Sequence, residues 1–161
     1  MRKQTEISLV AKRPHLFHQS ILNGLDIASL LPTKGKEPHF IWGYKEENFL
    51  ECGEGWLPII VAFTESVDHF ISEHAITGAE SEMSTETINV HIKSALRHQY
   101  RLCIVVDMSP NIDELLLSKI KAMQEFSTAM SGFICEVCGT PVKDIKLNSR
   151  VQCAVCCCRH A

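Results

Sequence analysis

The sequence predicts an α+β fold: helices packed on a small antiparallel β-sheet, with a cysteine-rich finger at the C-terminal end. Two short segments, around residues 88–92 and 102–106, alternate apolar and polar residues, which is the period of a β-strand. Two longer segments, about 56–74 and 109–131, repeat apolar residues every three or four positions, which is the period of a helix. Two C-x2-C cysteine pairs follow the second of these helices.

The composition is that of a soluble globular protein. The chain has 161 residues, of which 45% are hydrophobic and 22% charged, and no apolar run approaches the roughly 18–20 residues that cross a bilayer. We recognise no signal peptide, so the eight cysteines indicate metal-bound or free thiols in a reducing cytoplasm. We predict a basic N-terminal arm (1–14), an α+β core domain (15–132) and a finger packed on the last core helix (133–161).

The first half of the core is predicted to contain two helices and a short strand. Residues 17–31 have an apolar face and end before Pro32, and residues 39–44 are a candidate strand. The second helix, about 56–74, tolerates Pro58 because it lies in the first turn. Residues 77–87, rich in Gly, Ser and Glu, are predicted to be a loop. The core-facing stripe of the second helix consists of Trp56, Ile60, Phe63, Val67, Phe70 and His74.

The second half of the core is predicted to be a hairpin followed by a long helix. Residues 93–101 are interpreted as a basic connection between the two strands. Ser109 is the expected N-cap of the helix, Pro110 its first residue, and Gly132 its stop just before the first cysteine. The apolar stripe of this helix comprises Ile112, Leu115, Leu116, Ile120, Met123, Phe126 and Met130.

The cysteine pairs carry the strongest functional signal. Cys135 and Cys138 form the first pair, Cys153 and Cys156 form the second, and 14 residues separate the pairs. Two residues between thiols let one turn direct both sulfurs at one ion, and four thiolates fill a tetrahedral zinc site that is structural rather than catalytic. Iron–sulfur ligation is a second interpretation, because thiolates alone do not exclude it. The second pair has neighbours that offer alternative ligands, namely Cys157, Cys158 and His160.

The charge is unevenly distributed along the chain. Between Glu46 and Glu86 there are ten acidic residues and no lysine or arginine, although the formal net charge is only -3. One interpretation is a solvated helix face and loop, and the other is an acidic surface that binds a basic surface of another protein. The candidates for partner binding are Glu65, Asp68, Glu73, Glu80, Glu82 and Glu86.

Two other functional classes are weaker. A nucleic-acid-binding zinc ribbon needs a basic stripe, and its candidates here are Lys93, Arg97 and Arg101. The segment 135–161 is itself near neutral and has no aromatic residue to stack on a base. Catalysis would depend on Asp107 with a histidine of the hairpin, but the chain has no Gly-rich phosphate loop and no nucleophile elbow. We therefore expect a protein that is not an enzyme.

Residues 49–60, Phe-Leu-Glu-Cys-Gly-Glu-Gly-Trp-Leu-Pro-Ile-Ile, resemble the ECGDGW opening of a family of small uncharacterised phage and prophage proteins. Val-His-Ile-Lys at 90–93, the segment 101–107 and the four cysteines occupy places that match this family, whereas its Lys-Phe-Gly segment between the strands, the first 48 residues and the Cys-Cys-Cys-Arg-His end have no match. The resemblance implies a mobile-element protein expressed in the cytoplasm of a bacterial host, with no enzymatic role. We expect it to bind and modulate or inhibit a host protein, such as a defence effector or a transcription component; the alternative is a nucleic-acid-binding zinc-ribbon regulator.

Overall fold

The computed structural model describes residues 2–17, 50–78, 89–143 and 150–158, and the fold is α+β, as predicted. Helices surround a three-stranded sheet, and a cysteine cluster suited to a zinc finger follows the last long helix. Two short 3-10 helices, Pro14–Leu16 and Glu54–Trp56, join these elements. The elements in chain order are α1 (Arg2–Lys12), β1 (Leu50–Glu51), α2 (Leu57–Gly78), β2 (Val90–His98), β3 (Arg101–Met108), α3 (Glu114–Ser131) and α4 (Ala154–Cys158).

The sheet has the strand order β1-β2-β3. β2 and β3 form the predicted antiparallel hairpin, paired from Val90 opposite Met108 to His98 opposite Arg101. The two-residue strand β1, which we did not predict, adds to the other side of β2 in parallel, so the sheet is mixed. Such a short strand has no alternating pattern that sequence reasoning could detect.

The hairpin is longer than predicted, because residues 93–98 belong to β2 rather than to a basic connection. The turn consists of Gln99 and Tyr100, which have φ values of 46° and 63°. Two positive φ values are typical of a type I′ turn, whose right-handed twist matches that of the paired strands. Asn-Gly is the usual sequence signal for this turn, so the Gln-Tyr sequence gave no indication of it. Pairing of the two strands maintains a backbone conformation that these residues seldom adopt.

Helix α2 buries the first part of the predicted stripe: Trp56, just before its first residue, and Ile60, Phe63 and Val67 are all 0 to 1% exposed. Phe70 and His74, which we assigned to the same stripe, are only partly buried. The helix continues to Gly78, four residues beyond the predicted end. Burial of these large side chains, each worth about 1.5–3 kcal/mol, makes α2 the centre of the core.

Helix α3 starts later than predicted. Asp113 is the N-cap, and its side chain accepts hydrogen bonds from the backbone N–H groups of Leu115 and Leu116. Ser109 does not cap the helix, which begins only at Glu114. Its N–H instead donates to the Asn89 carbonyl at 2.9 Å and extends the strand pairing. The predicted end at Gly132 is confirmed.

The apolar stripe of α3 is only partly buried. Leu116 and Ile120 are at most 2% exposed, whereas Leu115 and Phe126, which we assigned to the same stripe, are 65% and 56% exposed. The face of α3 that contacts the sheet is instead partly polar, and its hydroxyl and amide groups bind the free edge of β3. Ser131 Oγ accepts from Leu102 N, Thr128 Oγ1 donates to Leu102 O and Gln124 Nε2 donates to Ile104 O, at 2.9, 2.9 and 2.8 Å.

The first residues differ from the predicted basic arm. Residues 2–12 are helical, and Leu9 and Val10 of α1 are buried in the core. The apolar pattern of this segment was too weak to predict that burial. Phe17, predicted as the start of a helix, is extended, forms a parallel bridge with Ile92 and is 1% exposed. The rest of the predicted helix 17–31, the strand 39–44 and nearly all of the loop 77–87 lie outside the described residues. Among the helices of the described segments, none combines the length and apolarity of a membrane span.

Candidate metal centre

The structure brings the four predicted cysteines together. The Sγ atoms of Cys135, Cys138, Cys153 and Cys156 all lie within 4.8 Å of one another, and those of Cys138 and Cys153 are 3.6 Å apart. Four sulfurs bound at about 2.3 Å to one tetrahedral zinc ion would be about 3.8 Å apart. The cluster therefore has nearly the dimensions of a four-thiolate metal site and is suited to bind a metal ion.

The first pair lies on a tight turn that starts just after α3. Cys135 N donates to Thr140 O and Gly139 N donates to Cys135 O, at 2.8 and 2.9 Å, so that the chain reverses within five residues. Gly139 has φ +76°, which glycine adopts at no steric cost. An antiparallel bridge between Ile134 and Pro141 closes the turn. The C-x2-C-G sequence thus places both sulfurs on one side of a small hairpin.

The second pair lies at the start of the short helix α4. Cys153 precedes it, Cys156 lies within it, and Cys157 N donates to Cys153 O at 2.9 Å. Of the alternative ligands, Cys157 is exposed and lies outside the cluster. The side chain of Cys158 and the whole of His160 lie outside the described residues. The two pairs are joined directly, since Glu136 N of the first turn donates to Val151 O at 2.8 Å.

The thiols of the cluster affect one another's ionisation. Hydrogen bonds from the side chain and backbone of Thr140 lower the pKa of Cys138 to about 6. Within the same cluster, the pKa of Cys156 is raised to about 12, chiefly because Cys156 hydrogen-bonds to Cys138. A bound cation would displace the remaining thiol protons, because metal ligation requires deprotonated sulfur.

The first turn is held against the core by the segment of residues 53–56. Gly55 N donates to Glu136 O at 2.8 Å, and Trp56 Nε1 donates to Ile134 O at 3.0 Å. The side chain of Glu136 is 8% exposed and forms an ion pair with Arg97 of β2 at 2.8 Å. These contacts join the finger to α2 and to the sheet, and sequence reasoning missed them because the residues concerned are 39 to 81 positions apart.

The predicted acidic surface is largely neutralised within the chain, as far as it is described. Asp68 forms an ion pair with Arg13 at 2.9 Å and a hydrogen bond with His15 at 2.8 Å, and Glu65 lies 3.5 Å from the Arg13 guanidinium. Burial opposes ionisation of Asp68, but the hydrogen bonds from His15 and Arg13 outweigh it and lower the pKa of this carboxyl group.

The remaining acidic candidates divide into two groups. Glu73 accepts from Lys119 of α3 and from His69, both at 3.3 Å. Glu80, Glu82 and Glu86 lie outside the described residues. Glu65 and Asp68 thus hold the segment that follows α1 against α2, and Glu73 holds α3 against α2.

The basic candidates also have intramolecular contacts. Lys93 pairs with Asp107 at 3.1 Å, and Arg97 pairs with Glu136. Arg101 donates to the Tyr100 carbonyl at 3.2 Å and lines an open groove of about 490 Å³ between β3 and α3. These residues do not form a row of unpaired cations of the kind that phosphate binding requires.

The hairpin places His91 directly opposite Asp107, two residues that we considered for catalysis, whereas His98 lies at the other end of the same strand. Asp107 is half-exposed and is engaged by Lys93. His91 is only partly exposed.

In comparisons with known proteins, no family model, no curated protein and no solved structure matches the chain.

Proposed function

We propose that this chain is a zinc-containing binding protein without enzymatic activity, in which the metal holds the two cysteine pairs of the C-terminal finger together. The observation that supports this best is the cluster of four cysteine sulfurs within 4.8 Å of one another. Four thiolates complete the tetrahedral coordination of Zn2+ and leave no position open for water or substrate. A site of this kind stabilises a fold, and catalytic zinc has three protein ligands.

The size of the finger explains why a metal is needed. Cys135, Val151 and Cys156 are its buried apolar residues among those described, and such a small core cannot offset the conformational entropy of ordering the segment. Structural zinc contributes about 10–16 kcal/mol in isolated finger peptides at neutral pH. The metal would therefore dominate the stability of residues 133–158.

Elemental analysis and cobalt substitution test the metal assignment. The protein purified without added metal should contain one zinc per chain, and the Co2+ form should show the intense visible absorption of tetrahedral thiolate ligation. Cys138→Ser should weaken this signal, and Cys157→Ser should leave it unchanged, because Cys157 lies outside the cluster. Absence of stoichiometric metal, or stoichiometric iron and sulfide, would contradict the zinc assignment.

The proposed partner is a protein of a bacterial host cell, as the resemblance to phage proteins implies. Glu65, Asp68 and Glu73 already contact other residues of the chain, so the support for a docking surface comes from exposed hydrophobic side chains. Of the six large hydrophobic side chains that are exposed in the described segments, five belong to α3 and the finger. Exposed aromatic and aliphatic residues are enriched at protein interfaces. These residues are Leu115, Phe126, Phe133, Val137 and Val155.

A matched pair of variants tests the docking surface. Phe126→Asp places a charge where the exposed ring of α3 lies, and Ser72→Asp adds the same charge to an exposed position of α2, outside the proposed surface. In pulldowns from bacterial lysate, the wild type and Ser72→Asp should retain a stoichiometric partner that Phe126→Asp loses. No stoichiometric partner, or equal retention by both variants, would argue against this surface. Turnover of a small molecule that ceases on removal of the metal would contradict the non-enzymatic assignment.

A further inference from the structure

We infer that Gly53, Gly55 and Trp56 form a seat that positions the first cysteine pair, so that this distant segment sets the metal affinity of the finger. The inference rests on the proposed zinc site, and it adds that contacts with the core set the zinc affinity of that site. None of these residues is a ligand, and the nearest ligand, Cys135, lies 79 positions after Trp56 in the chain. They act as positioning residues through the backbone on both sides of Cys135.

The seat holds the two carbonyl groups that flank the first ligand. Trp56 Nε1 donates to the carbonyl of Ile134, one residue before Cys135, and Gly55 N donates to the carbonyl of Glu136, one residue after it. Trp56 is itself 0% exposed and packed in the core, so its indole N–H is a fixed donor. Two hydrogen bonds from a rigid element thus fix the orientation of the peptide groups that carry the first sulfur.

Close backbone approach shows that the fit is specific. A Cβ atom on Gly55 would lie 2.1 Å from Cys135 O and 2.5 Å from Gly139 N, and a Cβ atom on Gly53 would lie 2.0 Å from Glu136 O. Distances below about 3 Å are incompatible with real side chains, and the atoms approached are backbone atoms that cannot rotate away. Only glycine at both positions lets the first turn lie against the segment in this way.

The Glu136 side chain adds a third attachment. It is 8% exposed, its Oε1 accepts from Arg97 of β2 at 2.8 Å, and its Oε2 is buried without a hydrogen-bond partner in the described part of the chain. A charged group is buried at such cost only where the surrounding contacts hold it in place. The turn bearing Cys135 and Cys138 is therefore docked on the core by backbone and side chain together.

Docking before metal binding has a thermodynamic consequence. A pre-formed first pair reduces the ordering that metal binding must bring about, so the affinity rises with the fit of the seat. Because linkage is reciprocal, metal binding must stabilise the seat by the same factor. Outer-shell contacts of metal sites typically change affinity by about 10–100-fold when they are removed.

The test measures zinc affinity by competition with a chromophoric chelator. Trp56→Phe keeps the ring but removes the indole donor to Ile134, and Gly55→Ala introduces the backbone clash. We expect affinity losses of about tenfold for Trp56→Phe and about a hundredfold for Gly55→Ala. The control is Phe63→Leu, which shortens a fully buried side chain of α2 seven residues after Trp56 and lowers stability in general. It should leave zinc affinity within about twofold of the wild type.

A second measurement keeps the inference falsifiable if Gly55→Ala does not fold. In wild-type protein, removal of zinc should increase hydrogen exchange at Gly55 N–H, while the N–H of Val67, a buried residue in the interior of α2, keeps its protection. Wild-type affinity in Trp56→Phe, or exchange at Gly55 that is the same with and without zinc, would overturn the inference. A wild type that carries no zinc would instead overturn the proposed function, so the two failures are distinguishable.

Discussion

The ion pair between Arg97 and Glu136 offers the sharpest test of how the finger is held on the sheet. We expect Arg97→Met to destabilise the zinc-loaded protein far more than Lys93→Met, four residues earlier on the same strand. Both substitutions exchange a cation for an apolar chain of similar reach, and both remove one ion pair. The two variants differ in the burial of the anion that is left behind.

The magnitude follows from that burial. Glu136 is 8% exposed, and its second oxygen is already without a hydrogen-bond partner among the described residues, so loss of Arg97 leaves a buried carboxylate with no counter-charge. Breaking a buried pair costs about 3–5 kcal/mol, and we reduce this to about 2–3 kcal/mol because water reaches Arg97, which is 34% exposed. Lys93 and Asp107 are 47% and 51% exposed, so their pair is worth about 0–1 kcal/mol.

Urea unfolding at neutral pH with zinc present measures both free energies, and an unchanged slope shows that the native surface is intact. In the double variant Arg97→Met/Glu136→Gln, removal of the stranded charge should recover at least about 1 kcal/mol. Equal destabilisation by Arg97→Met and Lys93→Met would refute the reasoning. That result would also mean that Arg97 is available to bind nucleic acid.

Three other expectations concern the edge strand, pH and the metal. Ser131→Ala leaves the buried N–H of Leu102 without its acceptor and should cost about 1–3 kcal/mol in urea unfolding, whereas Ser118→Ala on the exposed face of α3 should stay within about 0.5 kcal/mol of the wild type. Because the fold lowers the pKa of Asp68, this carboxylate stabilises the protein above its unfolded pKa of about 4, and the effect is lost as pH falls through the lower folded value. The stability difference between the wild type and Asp68→Asn should therefore shrink in acid, and a difference constant from pH 7 to 3 would contradict this; comparing the two proteins cancels the loss of metal. A strong chelator should lower Tm and added Zn2+ should restore it, whereas an unchanged Tm would show that the cluster carries no stabilising metal.

Local pattern was enough to predict the parts of this fold whose cause is local. The stripe from Trp56 to Val67 is buried as expected, because a helix of that length must bury its only apolar face. The spacing of the cysteines likewise predicted their local geometry, because C-x2-C directs two sulfurs at one ion, and the structure brings the two pairs together. The antiparallel hairpin followed from alternation on both strands.

The parts that could not be predicted depend on contacts between distant residues. Gln124, Thr128 and Ser131 look like ordinary polar residues of an amphipathic helix, yet they satisfy the free edge of β3. We assigned Leu115 and Phe126 to the apolar stripe of this helix, and the structure exposes both side chains to solvent. A polar residue that binds a strand edge cannot be distinguished from a solvated one until the neighbouring strand is placed.

The same limit governs the charged residues, and it changes which surface a partner can use. The formal charges along the sequence suggested an acidic block and a basic hairpin. However, ion pairs spanning 55, 46 and 39 residues connect the segment after α1 to α2, α2 to α3, and β2 to the finger. A side chain committed to such a pair must lose it before it can bind a partner, so it contributes little net attraction. The exposed side chains of Leu115, Phe126 and Phe133 incur no such cost, since they leave water for the interface directly. For this reason we place the proposed interaction surface on the outer face of α3 and the finger rather than on the acidic block.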